Sequence, residues 1–474
     1  MPQKGVVMLN KITSNVKCSI IPELDPDFIP AILWDREFRK AVAASGRSKK
    51  IVVAVERTPE SVSVSESVVF DKADSGEMAA NIRHVERLVK GLLWMRGGYK
   101  ITIAGAPEVA AELARIYSPD GERKFDYEMM SRIYSNTVCV IACDLADAPQ
   151  AIEPSKPLGR HLDGCRIGFD LGGSDRKCAA LIDGEVVFSE EVPWDPYFQK
   201  DPAWHKEGIN DTLKRAAAKL PRVDAIGGSS AGVYVNNHVR LASLFRGVPA
   251  DQFESGVKDL FLELGKEWGV PFEVVNDGEV TALAGSMDMN ANCVLGISMG
   301  TSVAGGYVNR EGNITDWLNE LAFVPVDYRE GAPADEWSGD LGCAVQYFCQ
   351  QAVARLAPKA GIILPSDMKF PEQLKEVQAL IANGDERAAK IFESIGVCFG
   401  YTIARYCEFY DMEKLLILGR VTSGKGGDII LEKAAMVLKA EFPEYADKVE
   451  FSIPDEKNRR HGQAVAAASL PVIG

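Results

Sequence analysis

Twice in this chain a predicted β-strand runs into a glycine-rich turn and then directly into another strand. The first case is the strand 165–170 with the turn 172–174, and the second is the apolar run 294–297 with the turn 300–302. In a Rossmann or P-loop unit the glycines lead from a strand into a helix. The strand–glycine–strand order therefore argues against those two nucleotide-binding folds and indicates hairpins at both points.

The first turn has the composition of a phosphate-binding hairpin. Gly172, Gly173 and Ser174 lack bulky side chains, so backbone N–H groups there are open to a phosphate. Asp170, at the end of the preceding strand, is suited to hold Mg²⁺ directly or through water, because Mg²⁺ prefers oxygen ligands. A glycine-rich hairpin in which Asp170 only makes a turn is the simpler alternative, and the motif by itself does not decide between them.

The second turn repeats this pattern with Gly300, Thr301 and Ser302. Upstream of it, another apolar strand ends in Asn276 and Asp277, an amide followed by a carboxylate. An exposed turn is the ordinary explanation of such a pair. Its place between the two hairpins favours a catalytic role.

Alternating strands and helices from residue 165 onward predict an α/β fold. Residues 1–160 form a separate α/β module that carries no recognisable chemical motif, followed by a polar, proline-containing linker at 147–162. A lid over a substrate cleft, a dimer interface and a partner-binding surface all remain open as roles for this module. The predicted strands are 51–56, 61–70, 100–104, 137–143 (buried), 165–170, 178–182, 186–188, 225–228, 272–275, 294–297, 303–308 and 415–418, and the predicted helices are 77–96, 107–117, 206–219, 253–268 and 388–408.

Composition limits the class of protein. The formal net charge of −14 and the lack of a densely basic stretch argue against nucleic acid as a partner. No run approaches the ~20 apolar residues of a membrane helix, and no signal peptide is evident, so we expect a cytoplasmic protein. The 10 cysteines show no disulfide-framework or zinc-ribbon spacing.

Further short motifs follow the first hairpin in a recognisable order. They are a serine–glycine turn, the Asn-Asp pair, the second hairpin, a glutamate, a glycine- and cysteine-containing stretch, a strand ending in glycine, and a C-terminal run of small residues. In this sequence they lie at 170–174, 230–232, 276–277, 300–306, Glu320, 339–343, Gly419 and 461–468. The order resembles that of the ROK family of sugar kinases and repressors, in the actin, hexokinase and heat-shock-chaperone ATPase superfamily. The resemblance implies an actin/ribonuclease-H-like ATPase fold with two lobes, 161–285 and 286–474, preceded by the module 1–160.

The resemblance also implies ATP and Mg²⁺ as cofactors and a sugar-like small molecule as substrate. Phosphoryl transfer requires positioning and charge neutralisation more than covalent catalysis. By this resemblance Asp277 is the base, and Asn276, Glu320 and Gly232 contact the substrate. The residues implied for the nucleotide are Asp170 (with Mg²⁺ through water), Gly172, Gly173, Ser174, Gly300, Thr301, Ser302 and Gly419. Family members commonly form homo-oligomers, which makes self-association an expectation here as well.

The sequence departs from the family pattern at several positions. Phe323 stands where the family has a histidine that contacts sugar and ligates zinc. Glu336 and Ser338 replace two zinc cysteines, which leaves Cys343, and a structural zinc site needs four nitrogen or sulfur ligands. We therefore predict no zinc.

Three smaller departures concern the nucleotide motifs. Ser302 and Ala304 stand at positions that are usually glycine, and a positive φ there would cost about 1 kcal/mol or more. Arg420 replaces a glycine of the adenosine motif, where it would either stack on adenine or block it.

The function predicted from the sequence is an ATP-dependent carbohydrate kinase. The alternative of a different class is a non-catalytic ligand-sensing or scaffolding protein on the same fold. A repressor is disfavoured, because residues 1–160 are not basic and show no compact three-helix pattern. His205 and His238 are interpreted as polar surface or hydrogen-bonded core residues, Trp94 as a core residue, and Arg123 with Asp126 as a solvated ion pair.

Overall fold

The computed structural model describes residues 2–153, 158–453 and 456–473, with the side chains of 2–6 and 456–461 left out. The predicted linker 147–162 lies partly outside these residues. None of the described helices is long and apolar enough to cross a membrane.

The N-terminal module is a four-stranded sheet with helices around it. The strand order is β2-β1-β3-β4, in which only the β3–β4 pair is parallel. Asp74 and Glu77 form a capping box at the start of the helix Ser75–Met95. Their side chains accept hydrogen bonds from N–H groups that have no partner within the helix. The elements are α1 (Pro2–Asn15), α2 (Ala31–Ala44), β1 (Ser48–Thr58), β2 (Ser61–Phe70), α3 (Ser75–Met95), β3 (Lys100–Ala104), α4 (Pro107–Ile116), α5 (Lys124–Tyr134) and β4 (Cys139–Cys143).

One expectation for this module was wrong, and three of its helices were missed. The strand at 137–143 is not buried: β4 is an edge strand, and Cys139 is exposed. Its apolar run reflects β-propensity at an edge, which the sequence does not distinguish from burial. The helices α1, α2 and α5 were not predicted.

The first lobe contains a five-stranded sheet in the order β11-β8-β5-β6-β7. Strands β5, β8 and β11 are parallel, whereas β5, β6 and β7 form antiparallel hairpins. The predicted helix 253–268 is divided in two at Gly256, which packs against Pro202. The elements are β5 (Cys165–Leu171), β6 (Asp175–Ile182), β7 (Glu185–Pro193), α6 (Pro202–Ala217), β8 (Ala225–Ser230), β9 (Val233–Val235), β10 (His238–Leu241), α7 (Ala250–Gly256), α8 (Leu260–Trp268) and β11 (Phe272–Asn276).

The second lobe has a four-stranded sheet in the order β13-β12-β14-β15. Its β12 and β13 form the second glycine hairpin, and β12 and β14 are parallel. The elements are α9 (Asp277–Asp288), β12 (Val294–Met299), β13 (Val303–Val308), α10 (Val345–Phe348), α11 (Gln350–Leu356), α12 (Phe370–Ala382), α13 (Glu386–Cys407), β14 (Lys414–Leu418), α14 (Lys425–Glu441), α15 (Pro443–Ala446), β15 (Glu450–Ser452) and α16 (Glu456–Ala468).

Helices α9 and α16 link the two lobes. Helix α9 leaves the end of β11 and packs on the second sheet, against β12 and β13. Helix α16 returns to the first sheet, where Gly168 and Gly227 let it lie directly on β5 and β8. A Cβ at either glycine would overlap a backbone carbonyl oxygen of α16. The lobe boundaries at 160 and 285 stay predictions.

The largest apolar core joins the N-terminal module to the second lobe. The rings of Trp94 and Phe323 lie 4.2 Å apart, and those of Phe28 and Tyr347 lie 5.4 Å apart. Both pairs cross from the module to the lobe, and their side chains are buried. The module and the second lobe therefore share one hydrophobic core.

A buried charge cluster lies in the same interface. Lys90 Nζ of α3 is 2.8 Å from Asp126 Oδ1 and 3.2 Å from Asp340 Oδ2. Arg123 binds Glu86 and Asp340 rather than Asp126. The predicted solvated pair of Arg123 and Asp126 was therefore wrong, because both residues are taken up by this cluster. Its carboxylates come from α3, α5 and the segment around residue 340, so it connects the module to the second lobe.

Candidate active site

Three parallel strands of the first sheet end side by side. Asp170 on β5 lies opposite Ser229 on β8, and Ser230 on β8 lies opposite Asn276 on β11. In open α/β sheets ligands bind outside the carboxyl ends of the parallel strands. The register brings the predicted Asp170 and the Asn276–Asp277 pair to one edge of the sheet.

Asp277 is the first residue of α9. Its Oδ1 accepts the backbone N–H of Gly278 at 3.0 Å. Burial, and then the nearby charge of Asp170, raise the pKa of the Asp277 carboxyl to about 6. A carboxylate of this pKa is ionised at neutral pH and is a better proton acceptor than an ordinary aspartate.

Asn276 holds the neighbouring turn in place. Its Oδ1 accepts the N–H of Gly278 at 2.7 Å and so caps α9, and its Nδ2 donates to the carbonyl oxygen of Gly232 at 2.6 Å. Both ends of the amide are therefore engaged within the protein. These two hydrogen bonds connect the Gly232 turn to the start of α9. A substrate contact by Asn276 stays a prediction.

Asp170 has a partner that the sequence reasoning missed. Its Oδ1 accepts the Ser229 hydroxyl at 2.8 Å, and Lys177 Nζ lies 3.6 Å from its Oδ2. Residues 170 and 177 are cross-strand neighbours in the first hairpin. The ion pair could therefore have been predicted from the strand register. The oxygens of the Asp170 carboxylate are of the kind that Mg²⁺ prefers, and the charge of Asp170 helps to raise the pKa of Asp277.

The first hairpin is covered by aromatic side chains. Trp194 Nε1 donates to the carbonyl oxygen of Gly172 at 2.7 Å, and the Tyr197 ring occupies the place of a side chain at Gly173. The Ser174 hydroxyl donates to Asp175 at 2.8 Å. Tyr197 therefore crowds the side of Gly173 where a Cβ would lie, which the sequence did not indicate.

The second hairpin is open. Thr301 and Ser302 are exposed at its tip, and a side chain at Gly300 would meet no atom within 4 Å. Neither Ser302 nor Ala304 has a positive φ, so the backbone strain expected at these two positions does not arise.

Gly419 lies where β14 ends, beside the end of β12. Its φ is 108°, and a Cβ there would overlap the backbone of Met299. Only glycine allows this close approach of the two strand ends. The second hairpin and the glycine of the predicted adenosine motif are thus adjacent.

A cavity of about 290 Å³ opens beside Gly419. Thr281 of α9 and Gln463 of α16 face each other there, with Gln463 Nε2 donating to Thr281 Oγ1 at 2.6 Å. A Cβ at Gly462 would meet only Ala284, at 3.9 Å, so the wall has room for a ligand group. Arg420 is exposed and is not part of the lining, so it does not fill this cavity. The small lining residues fit part of a nucleotide.

Glu320 is held by the N-terminal module. The backbone N–H of Glu320 donates to the carbonyl oxygen of Trp94 at 3.0 Å, at the end of α3. Burial, and then the charge of Asp277, raise the pKa of the Glu320 carboxyl to about 7. The charge of Asp277 therefore acts on Glu320, whose backbone is bonded to residues of the N-terminal module.

Glu279 is a buried carboxyl that the sequence did not predict as part of the site. It lies in the first turn of α9, where Asn319 Nδ2 donates to its Oε1 at 2.5 Å. Burial is the main cause that raises its pKa to about 8. Its position two residues after Asp277, in the first turn of α9, was the only sign in the sequence.

All three parts of the chain meet at a cleft of about 500 Å³ with a mixed polar and apolar lining. The module contributes Arg57, the first lobe Asn276, and the second lobe Thr315, Asp316 and Glu320. Such a lining offers both donors and acceptors to a polyhydroxylated ligand.

The positions of the family's zinc motif have other partners. The Cys343 thiol is buried 3.7 Å from Asp340 Oδ2, a member of the charge cluster, and Ser338 Oγ donates to Asp335 at 2.6 Å. Among the described residues, no group of three or more histidine, cysteine, aspartate or glutamate side chains could hold a metal ion. The absence of zinc stays a prediction.

His205 and Trp94 are core residues, as predicted. The His205 ring is buried, and its nitrogens lie 3.2 Å from the carbonyl oxygens of Asp201, Pro196 and Leu244. Trp94 is buried and donates to Asp126 at 2.6 Å.

No protein-family model matches the sequence, and no curated protein is similar enough to count as a relative. Solved structures match it. A ROK hexokinase from Thermus thermophilus is 18% identical, covers 65% of this chain and 97% of its own, and superposes with a TM-score of 0.50. A ROK family transcriptional regulator, a homologue of the E. coli MLC protein, is 16% identical, covers 76% of this chain and 87% of its own, and gives a TM-score of 0.51. The chain therefore has the α/β, two-lobed fold of ROK proteins, which confirms the predicted fold.

Proposed function

We propose that this chain, with the fold of ROK proteins, is a member of that family and an ATP- and Mg²⁺-dependent kinase for a hydroxyl of a sugar-like metabolite. The observation that supports this most is Asp277, a carboxylate with a pKa raised to about 6 beside Asp170, Gly232 and Glu320. Bound ATP would supply the phosphoryl group, and Mg²⁺ would offset its charge.

The roles of the protein groups follow from their positions. Asp277 accepts the proton of the substrate hydroxyl as that oxygen attacks. Asn276 keeps the Gly232 turn against Asp277, and Glu320 binds a further hydroxyl. Asp170, at the end of the neighbouring strand, would hold the metal. The open second hairpin and the Gly419 cavity receive the nucleotide.

A non-catalytic ligand-sensing protein is the second candidate. The Tyr197 ring packed on Gly173 favours it, because this ring crowds the first hairpin, where a phosphate would bind. The two candidates differ in turnover rather than in ligand binding.

The test of the proposed function is ADP release from Mg-ATP with a panel of hexoses, amino sugars, acetylated amino sugars and polyols. We expect turnover with at least one compound, at a typical kinase rate of about 1–100 s⁻¹. ATP binding by calorimetry without turnover on any compound would instead support the sensing protein.

The rate should depend on pH through Asp277. A general base acts only when it is deprotonated, so kcat/KM should fall about tenfold per pH unit below about pH 6. With an ordinary aspartate the rate would hold down to about pH 4. Initial rates between pH 4.5 and 8, with circular dichroism to show that the protein stays folded, decide this. A flat profile down to about pH 4.5 would show that the base does not have the raised pKa of Asp277.

A further inference from the structure

A second cavity, of about 520 Å³, lies next to the cleft of about 500 Å³. Gly232 and Glu320 border both spaces, so the two meet beside Glu320. The lining of this second space is different in character. It is dominated by the side chains of Trp94, Phe245, Val248, Phe253, Phe323 and Trp337.

The N-terminal module forms one wall of this apolar cavity. Trp94 at the end of α3, and Met129 and Ile133 on α5, face it. The wall is fixed relative to Glu320, because the backbone of residues 318–320 donates in succession to the carbonyl oxygens of residues 96, 95 and 94 at 3.0–3.2 Å. The apolar wall and the carboxylate of Glu320 therefore form one rigid unit.

Phe323 and Trp337 form the adjoining wall. The Phe323 ring packs on Trp94 at an angle, with ring centroids 4.2 Å apart, and the Trp337 ring lies 5.5 Å from that of Phe323. Trp337 is 58% exposed, which is unusual for so large an apolar side chain. An aromatic ring with one open face beside an apolar cavity is suited to cover an apolar group of a ligand.

We propose that the ligand of this site is a glycoside-like compound, with its hydroxylated part at Asn276 and Glu320 and an apolar, ring-sized group in the cavity. This inference rests on the proposed function for the chemistry of the hydroxylated part. A free hexose would leave the apolar cavity filled with water, whereas an apolar group would displace it. The N-terminal module is then a specificity-determining part of the substrate site.

The test compares matched probes that differ only in the apolar group. Phenyl and methyl β-D-glycosides of glucose, N-acetylglucosamine and mannose are titrated into the full chain by calorimetry without ATP. We expect the phenyl form to bind about 10- to 100-fold more tightly than the methyl form for at least one sugar, because a cavity that fits one group discriminates by this order. In the Trp337→Ala variant the ratio should fall toward one.

Ile363→Ala is the matched control, because Ile363 is 84% exposed and lies outside both cavities. Trp337 is largely exposed, so its replacement should leave the fold intact, which circular dichroism checks. Equal affinities for phenyl and methyl forms, no binding of any probe, or a phenyl preference that survives Trp337→Ala would each overturn the inference.

Turnover separates this inference from the proposed function. Phosphorylation of a methyl glycoside or free sugar with no phenyl preference would leave the kinase in place and overturn the apolar subsite. A phenyl preference in binding that disappears in Trp337→Ala, without turnover of any glycoside, would support the subsite and contradict the kinase.

Discussion

Replacing Asp277 by asparagine is expected to lower kcat by about 10²–10⁴-fold, because a general base contributes a factor of this size. The amide has the shape of the carboxylate and can still accept the N–H of Gly278, but it cannot take up a proton. Affinity for ATP should be unchanged, since Asp277 contributes a proton acceptor rather than a nucleotide contact. Initial rates on the substrate found in the panel, together with ATP titrations, measure both quantities.

The Asp277→Asn variant should also be at least as stable as the original protein. Burial raises the pKa of Asp277, so folding disfavours its charge, and a neutral amide removes that unfavourable term at neutral pH. Asp367→Asn, at an exposed position of the second lobe, is the control and should keep full activity. Full activity in Asp277→Asn would exclude Asp277 as the base, whereas unfolding of that variant would contradict the stability argument.

Replacing Lys90 by methionine is expected to lower the free energy of unfolding by about 3–5 kcal/mol, the usual result of removing one partner of a buried ion pair. Burial disfavours the charge of Lys90, but the carboxylates of Asp126 and Asp340 outweigh this and raise its pKa. Without the ammonium group both carboxylates lose a buried partner. Urea unfolding followed by tryptophan fluorescence measures the change, since Trp94 donates to Asp126.

Lys124→Met is the matched control for this prediction. Lys124 is in the same module, but its pair with Glu128 is exposed and 3.7 Å long, so its loss should change the free energy of unfolding by less than about 1 kcal/mol. In the Asp126→Asn background the Lys90→Met change should lower the free energy of unfolding by less, because one of the two carboxylates that pair with Lys90 is already neutral. Equal effects of Lys90→Met and Lys124→Met would show that the buried cluster does not stabilise the interface.

The sequence was most informative where local chemistry and pattern agree. Strand β3 at Lys100–Ala104 and β13 at Val303–Val308 were predicted with their observed bounds. The strands predicted at 178–182 and 186–188 are paired as a hairpin, and Asp183 and Gly184 between them have the positive φ that its turn requires. The order of the motifs predicted the fold that the comparison with ROK structures confirms.

What the sequence could not show depends on contacts between distant segments. In the sequence Glu279 is an ordinary acidic residue near the start of a helix. Only the fold brings Asn319 into hydrogen-bonding distance of it. Arg123 and Asp126 are three residues apart and suggest a local pair, but tertiary contacts with Glu86 and Lys90 prevail. The sequence could not predict that residues 1–160 border the site either. This is seen only from the contacts of Trp94 with Glu320 and Phe323.

The core shared by the N-terminal module and the second lobe has a consequence for synthesis on the ribosome. The rings of Trp94 and Phe323 pack together, so the module needs a segment that is made much later. At roughly 5–20 residues per second, translation of the roughly 230 residues between Trp94 and Phe323 takes roughly 12–46 s. During that interval the apolar face of the nascent module has no partner, which makes it a natural substrate for chaperones.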